Sequence, residues 1–180
     1  MKTYITSDLH FEHANIKKFC PESRARFGNV AEMTDQMIQE WNEVVTTEDT
    51  VYILGDVAFC QAQLAVAIMQ KLNGSKILIE GNHDIKLLKD NSFRKCFKEI
   101  HQYLRLNYNG QVIILSHYPF LEWDQMHRGS LHFHGHLHGN KTNQEHFRCK
   151  DVGMDSTGKI VMLIEDAIAC IANNEIKSHH

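Results

Sequence analysis

Three short β-rich runs, each ending on a polar residue, constrain the fold of this chain more than any other feature of its sequence. The runs are KTYITSD, TVYILGD and SKILIEGNHD, in which β-branched and aromatic residues lead to Asp or Asn. Apolar residues at helical spacing separate the three runs. They are Met33, Met37, Ile38, Trp41, Val44 and Val45 in the first interval, and Leu64, Ile68 and Leu72 in the second. This alternation of strands and helices predicts an α/β domain with a parallel sheet.

Capping and turn signals place the ends of these helices and predict further elements. An Asn-x-x-Glu capping box at Asn29 precedes the first helix, and the Asn-Gly pair at 73–74 ends the second. A second Asn-Gly pair, between LRLNY and QVIIL, predicts a β-hairpin with a type I′ turn. Residues 159–164 have the pattern of a strand, and residues 165–173 have that of a last helix with acidic residues in its first turn.

The length and composition of the chain favour one globular domain. The chain has 180 residues, of which 43% are hydrophobic and two are proline. We assign residues 1–176 to this domain and residues 177–180 to a C-terminal tail, whose last two residues, His179 and His180, are interpreted as a tag remnant. No apolar run approaches the roughly 20 residues of a membrane span, and MKTY leads into a strand and not into a signal peptide. We therefore expect a soluble cytoplasmic protein without a membrane partner.

Cysteine usage and net charge exclude several function classes. The five cysteines are odd in number and form no C-x-x-C pair, which argues against a disulfide framework and a zinc knuckle and fits a reducing cytosol. The formal net charge of -3 indicates no dedicated nucleic-acid-binding region. A nucleotide remains compatible with this charge as a substrate, and the sequence carries no signal for an oligomeric state.

Polar residues at the ends of the predicted strands form the candidate functional site, because open α/β sheets place their sites at the carboxyl ends of strands. Their oxygen and imidazole donors, without a thiolate, suit Mn, Fe, Zn, Ni or Co better than an all-oxygen Mg or Ca site. The i, i+2 pairs are expected to point the same way if strand geometry persists. Flanking glycines allow the backbone to bend tightly between them. The set comprises Asp8, His10, Asp56, Asn82, His83, Asp84, His117, His136 and His138, with Gly55, Gly81, Gly135 and Gly139 beside them.

Three further polar residues are candidates for substrate contact, namely His13, Asn15 and Arg26. The alternative is that His13 and Asn15 begin a helix and that Arg26 lies in a solvated loop. Aromatic residues could stack on a base or another ring, although core packing is their commoner use. The aromatic candidates are Phe11, Tyr118 and Trp123.

Five ordered motifs resemble those of the calcineurin-like metallophosphoesterases: DLH at Asp8, GD at Gly55, GNHD at Gly81, SHYP at Ser116 and GHLHG at Gly135. The resemblance spans nearly the entire chain. A small subgroup of uncharacterised bacterial and phage phosphoesterases is more similar still, through DLHFEHANI, RFGNVAEMTDQMIQEWNEVV and VGMD. The chain departs from that subgroup at Glu12, where a glycine is usual.

The resemblance implies an α/β/β/α sandwich of four layers with two mixed sheets and a site at the strand carboxyl ends. It also implies two divalent metal ions, with Mn as the first expectation. Asp8, His10 and His138 would hold one ion, Asn82, His117 and His136 the other, and Asp56 would bridge both. His83 resembles the catalytic histidine, and Asp84 would orient His83 or cap the following helix. His132 and His134 are expected to pack or to support the ligands.

The function expected from this site is metal-dependent hydrolysis of a small phosphoester through a metal-activated water. The phosphoester could be a nucleotide. A phosphodiester is favoured over a monoester because 180 residues leave no segment for a lid, and an open cleft cannot enclose a small monoester. Two alternatives are a catalytically silent scaffold that binds a partner and a metal-dependent nuclease. The complete set of motif residues argues against the scaffold, and the lack of a clear basic segment argues against the nuclease.

Overall fold

The β-rich runs form strands in the computed structural model, which describes residues 1–178. His179 and His180, interpreted above as a tag remnant, lie outside the described residues. Each of the three runs becomes a strand that stops before its polar residues, and the predicted hairpin forms as expected. The strands are β1 Thr3–Thr6, β2 Thr50–Ile53, β3 Ser75–Ile79, β4 Glu99–His101, β5 Leu104–Tyr108, β6 Gln111–Leu115, β7 Leu131–His134, β8 Cys149–Asp151 and β9 Met162–Leu163.

Two longer helices occupy the intervals in which helical spacing was found, and shorter helices connect the remaining elements. The capping box forms as predicted, since the Asn29 side chain accepts hydrogen bonds from the N–H groups of Ala31 and Glu32 while Glu32 bonds back to Asn29. The helices are α1 Ile16–Phe19, α2 Pro21–Arg24, α3 Val30–Val44, α4 Ala62–Lys71, α5 Asn91–Arg94, α6 Met154–Thr157 and α7 Ile164–Ile171, with 3₁₀ turns at Leu87–Lys89 and Met126–Arg128.

The strands form two mixed sheets, as the predicted fold class requires. The first has the order β4-β3-β2-β1-β9, with β1 to β4 parallel and β9 antiparallel to β1. The second has the order β5-β6-β7-β8, with an antiparallel hairpin followed by two parallel pairings. Asn109 and Gly110 in the hairpin turn both have positive φ, at 50° and 82°, which is the geometry of a type I′ turn. The α/β fold with two mixed sheets is therefore confirmed.

Alternation of side chains along the strands creates two cores, one on each face of the first sheet. Val51 and Ile53 pack with Met37 and Trp41 of α3 in the core under the helices. Tyr52 and the other residues whose side chains point to the opposite face of the first sheet contact the second sheet. The two sheets enclose a second core there. A third, smaller cluster of Ile114, Trp123, Met126 and Cys149 covers the outer face of the second sheet.

Two elements differ from the prediction in their ends, and one residue differs in its burial. The strand predicted over 159–164 is reduced to β9, and α7 begins one residue earlier and ends at Ile171. Leu64, assigned to the buried stripe of α4, is 45% exposed, whereas the neighbouring Ala65 is fully buried. The buried face of α4 is formed by Ala65, Ile68 and Met69, so its phase differs from the predicted stripe at Leu64.

Parallel pairing brings the polar strand ends together. β1, β2 and β3 are adjacent and parallel, so the segments after them leave the first sheet at one edge. β6 and β7 are likewise adjacent and parallel in the second sheet. Backbone hydrogen bonds from Asp8 to Gly55 and from His10 to Asp56, both 3.0 Å long, join the first two segments. Among residues 1–178, no helix has the length and apolar character needed to cross a membrane.

Candidate metal centre

The first group of candidate ligands consists of Asp8, His10 and His138, whose ligand atoms all lie within 4.8 Å of one another. Asp8 Oδ1 is 3.9 Å from the Nε2 atom of each histidine. Asp8 and His10 are buried, whereas the His138 side chain is 22% exposed. Three donors therefore converge on one point from the segments after β1 and β7.

The second group consists of Asp56, His117 and His136, again within 4.8 Å of one another. Asn82 belongs to it by position, since Asn82 Oδ1 lies 2.9 Å from His117 Nε2. Asp56 Oδ2 lies 3.6 Å from Nε2 of His117 and 3.8 Å from Nε2 of His10, which is in the first group. The Asp56 carboxylate thus stands between the two groups, where the resemblance requires a bridging ligand.

Two buried atoms in the first group point to a cation. Asp8 Oδ1 and His10 Nε2 are both inaccessible to solvent and have no hydrogen-bond partner among the described residues. The other oxygen of Asp8 is anchored, because it accepts the His136 N–H at 2.9 Å. A buried carboxylate oxygen and a buried ring nitrogen without partners are costly unless a ligand satisfies them. These residues therefore fit a divalent metal ion.

The Nδ1 atoms of two histidines hydrogen-bond to oxygen atoms and thereby orient their Nε2 atoms toward the ligand groups. His117 Nδ1 is 2.7 Å from the carbonyl oxygen of Leu54, and His138 Nδ1 is 2.7 Å from Asp155 Oδ2. An Nδ1–H that donates to oxygen makes Nε2 the basic nitrogen and fixes the ring orientation.

The backbone of the ligand segments is left-handed and not extended. Asp8, His10, Asp56, His136 and His138 have φ between 50° and 70°. The expectation that strand geometry continues through the i, i+2 pairs is therefore wrong, because β1 ends at Thr6 and β7 at His134. Left-handed turns at alternate residues curl each segment so that both side chains face the same side. Such conformations cost on the order of 1 kcal/mol or more per residue, and they cluster at functional sites.

Glycines permit the close approach of these segments at two places. A Cβ atom on Gly135 would overlap Ser7 Oγ and Asp8 Oδ2, so only glycine lets the segment after β7 reach Asp8. Gly55, with φ of 89°, would place a Cβ 2.6 Å from both Gly81 Cα and His117 Nδ1. The predicted role of these glycines in tight bends is in agreement with this geometry.

A buried ion pair that the sequence reasoning missed supports the first group. Arg24 of α2 is fully buried, and its Nε is 2.6 Å from Asp155 Oδ1. The same guanidinium donates to the backbone carbonyl oxygens of Asp8 and Leu9 at 2.7 and 3.0 Å. Asp155 in turn accepts the His138 Nδ1–H. The only sequence signal was VGMD, which contains Asp155 and was noted for its resemblance alone.

Burial and neighbouring charge shape the protonation of the first group. Burial raises the pKa of Asp8 to about 7, although the nearby His138 opposes this. Burial lowers the pKa of His10 to about 2, helped by the positive charges of His138 and Arg24. Burial disfavours the charged form of Asp155 as well, but the hydrogen bonds from His138 and Arg24 outweigh it and lower the pKa of Asp155. A bound cation would favour ionised Asp8 and neutral His10 together.

His83 lies at the exposed side of the two groups. Its side chain is 46% exposed, and its Nε2 is 3.9 Å from Asp56 Oδ2. The backbone N–H of His83 donates to Asp56 Oδ1 at 2.9 Å. Phe59, another residue that sequence reasoning missed, packs against the rings of His83 and His13, with centroids 4.4 and 3.9 Å away.

The partners of Asp84 differ from both of those expected, which were His83 and the start of the following helix. Its carboxylate is fully buried and accepts the N–H groups of Asp56, Val57 and Gly81, each at 2.9 Å. Among the described contacts it neither bonds to His83 nor caps a helix with its side chain. Asp84 therefore clamps the segments after β2 and β3 to each other, because three donors from both segments converge on one carboxylate.

The structure divides the three candidates for substrate contact. His13 lies beside the first group, with its Nδ1 3.3 Å from His10 Nδ1. Asn15 is exposed at the start of α1, and its side chain makes no capping hydrogen bond. Arg26 is turned to α3, where it forms a bidentate ion pair with Glu40, and no described contact joins it to either ligand group. The expectation that Arg26 reaches substrate is thus not supported by its position.

Other aromatic residues and histidines serve mainly in packing. Phe11 and Trp123 are buried in the cores, whereas Tyr118 is 46% exposed with its ring centroid 4.6 Å from that of His136. His132 is fully buried, stacks on Phe120 and accepts the Phe120 N–H at 3.1 Å. His134 is 3% exposed, and its Nδ1 is 2.9 Å from the carbonyl oxygen of Gly135. Packing was one of the two expected roles of both histidines, the other being support of the ligands.

Comparison with known proteins agrees with the motif resemblance. A family model described as calcineurin-like phosphoesterase matches residues 1–154. An uncharacterised protein of Methanocaldococcus jannaschii is 36% identical over 148 residues, which cover 81% of this chain and 74% of that protein. The gene 66 protein of Mycobacterium phage L5 is 27% identical, and the match covers 88% of this chain and 89% of that protein. A protein of unknown function from Aquifex aeolicus superimposes with a TM-score of 0.73 at 26% identity, covering 94% of this chain and 99% of that one.

Proposed function

The chain belongs to the calcineurin-like phosphoesterase family, and we propose that it is a phosphodiesterase that uses two divalent metal ions. The observation that carries the proposal is the position of Asp56 between two groups of ligands, one of which contains two buried atoms without partners. When bound, two cations would neutralise the phosphoryl oxygens and lower the pKa of a coordinated water. The imidazole, carboxylate and amide donors suit Mn²⁺, Fe²⁺, Zn²⁺, Ni²⁺ or Co²⁺, and we propose Mn²⁺ as the first candidate on the family resemblance.

The proposed ligands are those inferred from the motifs. Asp8, His10 and His138 would hold one ion, and the other would be held by Asn82, His117 and His136, with Asp56 shared. Asp8, His10, Asp56, His117 and His138 are held by hydrogen bonds or by burial, which would keep reorganisation on cation binding small.

His83 is proposed to act on the leaving group. It is next to Asn82 in the chain, its ring is exposed at the mouth of the site, and it lies 3.9 Å from Asp56. From this position its Nε2 can donate a proton to the departing oxygen, a contribution of about 10² to 10⁴ in rate. The Asp84 clamp holds the turn that carries His83, so Asp84 acts through position and not through contact with substrate.

The proposed preference for diesters rests on the exposure of one side of the centre. His83, Tyr118 and His138 are all partly open to solvent, at 46%, 46% and 22%. A small monoester would be poorly enclosed there, and enclosure provides much of a small ligand's binding energy. A diester offers a second substituent, and His13, whose Nδ1 is 3.3 Å from His10 Nδ1, is its proposed contact.

The proposal is tested with bis(p-nitrophenyl) phosphate and p-nitrophenyl phosphate at matched pH, each with Mn²⁺, Zn²⁺, Ni²⁺, Co²⁺ or Fe²⁺. We expect a higher kcat/KM for the diester, abolished by Asp56→Asn. His13→Ala should raise KM for the diester without removing metal, and Arg26→Ala is the matched control because its guanidinium is held by Glu40. A clear preference for the monoester would refute the diester assignment.

A further inference from the structure

A groove of about 880 Å³ opens directly beside the proposed metal centre. It lies between the segment that follows β2 and the segment that follows β3, and Asn82 and His83 form its wall on the side of the centre. Its other walls include Phe59, Ile85, Lys86 and Lys89. The groove thus begins at the residue that is proposed to protonate the leaving group.

Two lysines give the groove a positive end. Lys86 precedes the 3₁₀ turn Leu87–Lys89, and Lys89 ends it. Residues three apart in a 3₁₀ turn lie on the same side, so the two ammonium groups project together. Both lysines are exposed, and no ion pair or hydrogen bond joins either side chain to a described residue. Among the described lining residues none is an aspartate or a glutamate, and an anion is therefore the complementary ligand.

Part of the groove is apolar. Ile85 is 56% exposed and presents its side chain to the groove. Phe59 is half-buried, with one part packed on His13 and His83 and another lining the groove. The lining of the groove therefore combines a proton donor at the metal centre, apolar surface and a pair of cations.

Resting on the proposed phosphodiesterase activity, we propose that this groove binds the leaving group of the substrate and that the leaving group is a nucleoside unit carrying its own phosphate. In the reaction, water adds to the scissile phosphorus and loses a proton to solvent, the phosphorus–oxygen bond to the leaving group breaks, and His83 protonates the departing oxygen and is then reprotonated from solvent. The base and sugar would lie along Phe59 and Ile85, and the second phosphate would lie between Lys86 and Lys89.

The test compares three dinucleotides: thymidylyl-(3′→5′)-thymidine without a terminal phosphate, the same dinucleotide with a 5′-terminal phosphate, and the same dinucleotide with a 3′-terminal phosphate. Chromatography of the products identifies which oxygen departs and hence which terminal phosphate is on the leaving nucleoside. We expect that phosphate to raise kcat/KM by about tenfold, through charge-assisted contacts, and the phosphate on the other nucleoside to change it by less than about twofold. The double substitution Lys86→Gln/Lys89→Gln should remove the gain.

Two controls separate this inference from the proposed function. Turnover of bis(p-nitrophenyl) phosphate should stay within about twofold in the double variant, since that substrate has no second phosphate. Lys71→Gln, an exposed lysine at the far end of α4, should leave the gain intact. Diester turnover without a gain from either terminal phosphate, or a gain that persists in the double variant, overturns this inference alone. Inactivity toward every diester with every metal overturns the proposed function and this inference with it.

Discussion

The buried pair of Arg24 and Asp155 provides the sharpest test of how the first ligand group is held. Asp155→Asn keeps the size of the side chain but removes its charge and one of its two acceptor oxygens. In the native protein Oδ1 accepts from Arg24 at 2.6 Å and from Ser23 at 2.5 Å, while Oδ2 accepts from His138 at 2.7 Å and from Arg24 at 3.0 Å. Whichever way the amide turns, its NH₂ group must face a donor.

The cost follows from the burial of both partners, whose side chains are 0% and 1% exposed. Removing one member of a buried ion pair leaves an uncompensated charge and costs about 3 to 5 kcal/mol. The remaining amide oxygen and the Asp8 and Leu9 carbonyl groups still accept from Arg24, so we expect the lower end, about 3 kcal/mol. Loss of the partner that orients a histidine ligand typically weakens metal binding by about 10- to 100-fold.

Two measurements check this prediction. Urea unfolding in the presence of chelator gives the free energy of unfolding of the metal-free protein. Calorimetric titration of the folded protein with Mn²⁺ gives the affinities, and only the ion held by His138 should bind more weakly. Asp124→Asn is the control, because the Arg105–Asp124 pair has a similar length of 2.8 Å but is 44% and 46% exposed and should contribute less than about 1 kcal/mol. Folded Asp155→Asn with wild-type affinity for both ions would refute the reasoning.

Four further predictions concern single residues. Asp56→Asn should remove metal and nearly all turnover, and two equivalents of metal retained in elemental analysis would contradict its bridging role. His83→Ala should lower kcat by about 10² or more at wild-type metal content, whereas loss of metal would make His83 a ligand. φ at Glu12 is 61°, a conformation that glycine adopts without steric cost. Glu12→Gly should therefore raise the free energy of unfolding by up to about 1 kcal/mol, whereas Glu12→Ala should not raise it. Equal effects of the two substitutions in urea unfolding would exclude backbone strain as the cause. Burial, aided by His134, lowers the pKa of His132 to about 3. The contribution of His132 to stability is therefore complete above about pH 6.5 and is lost as the pH falls toward 3. A difference in the free energy of unfolding between wild type and His132→Asn that does not narrow from about pH 7 to about pH 4 would contradict this.

Much of the fold could be predicted from local pattern. The strands, the two longer helices, the hairpin and the capping box depend on periodicity, turn chemistry and capping, all of which involve residues close in sequence. The convergence of Asp8, Asp56 and Asn82 followed because adjacent parallel strands bring their carboxyl ends to one edge. The weakest predictions were the ends of short elements, such as β9, whose pairing with β1 involves only two residue pairs.

Features that depend on distant partners could not be predicted. Arg24 and Asp155 are 131 positions apart, and neither is flanked by a pattern that indicates burial of a charge. Arg26, two residues from Arg24, was the arginine predicted from the sequence to contact substrate, yet it is partly exposed and paired with Glu40. The left-handed turns at the ligands also lacked a decisive local signal, because positive φ remains uncommon for aspartate and histidine even though both are enriched there several-fold.

The two buried carboxylates, Asp84 and Asp155, explain how strained turns persist at both halves of the centre. Asp84 holds the left-handed turn at Asp56 through three N–H groups, and Asp155 holds His138 through Nδ1. Their electrostatic support differs. Burial raises the pKa of Asp84 to about 6 because only backbone dipoles stabilise its charge, whereas Asp155 has the full charge of Arg24 beside it and its pKa is lowered. The first ligand group is therefore held by an ion pair and the second by dipoles. Both supports act through groups that do not contact a cation, so the ligand geometry is set by the folded chain before metal binds.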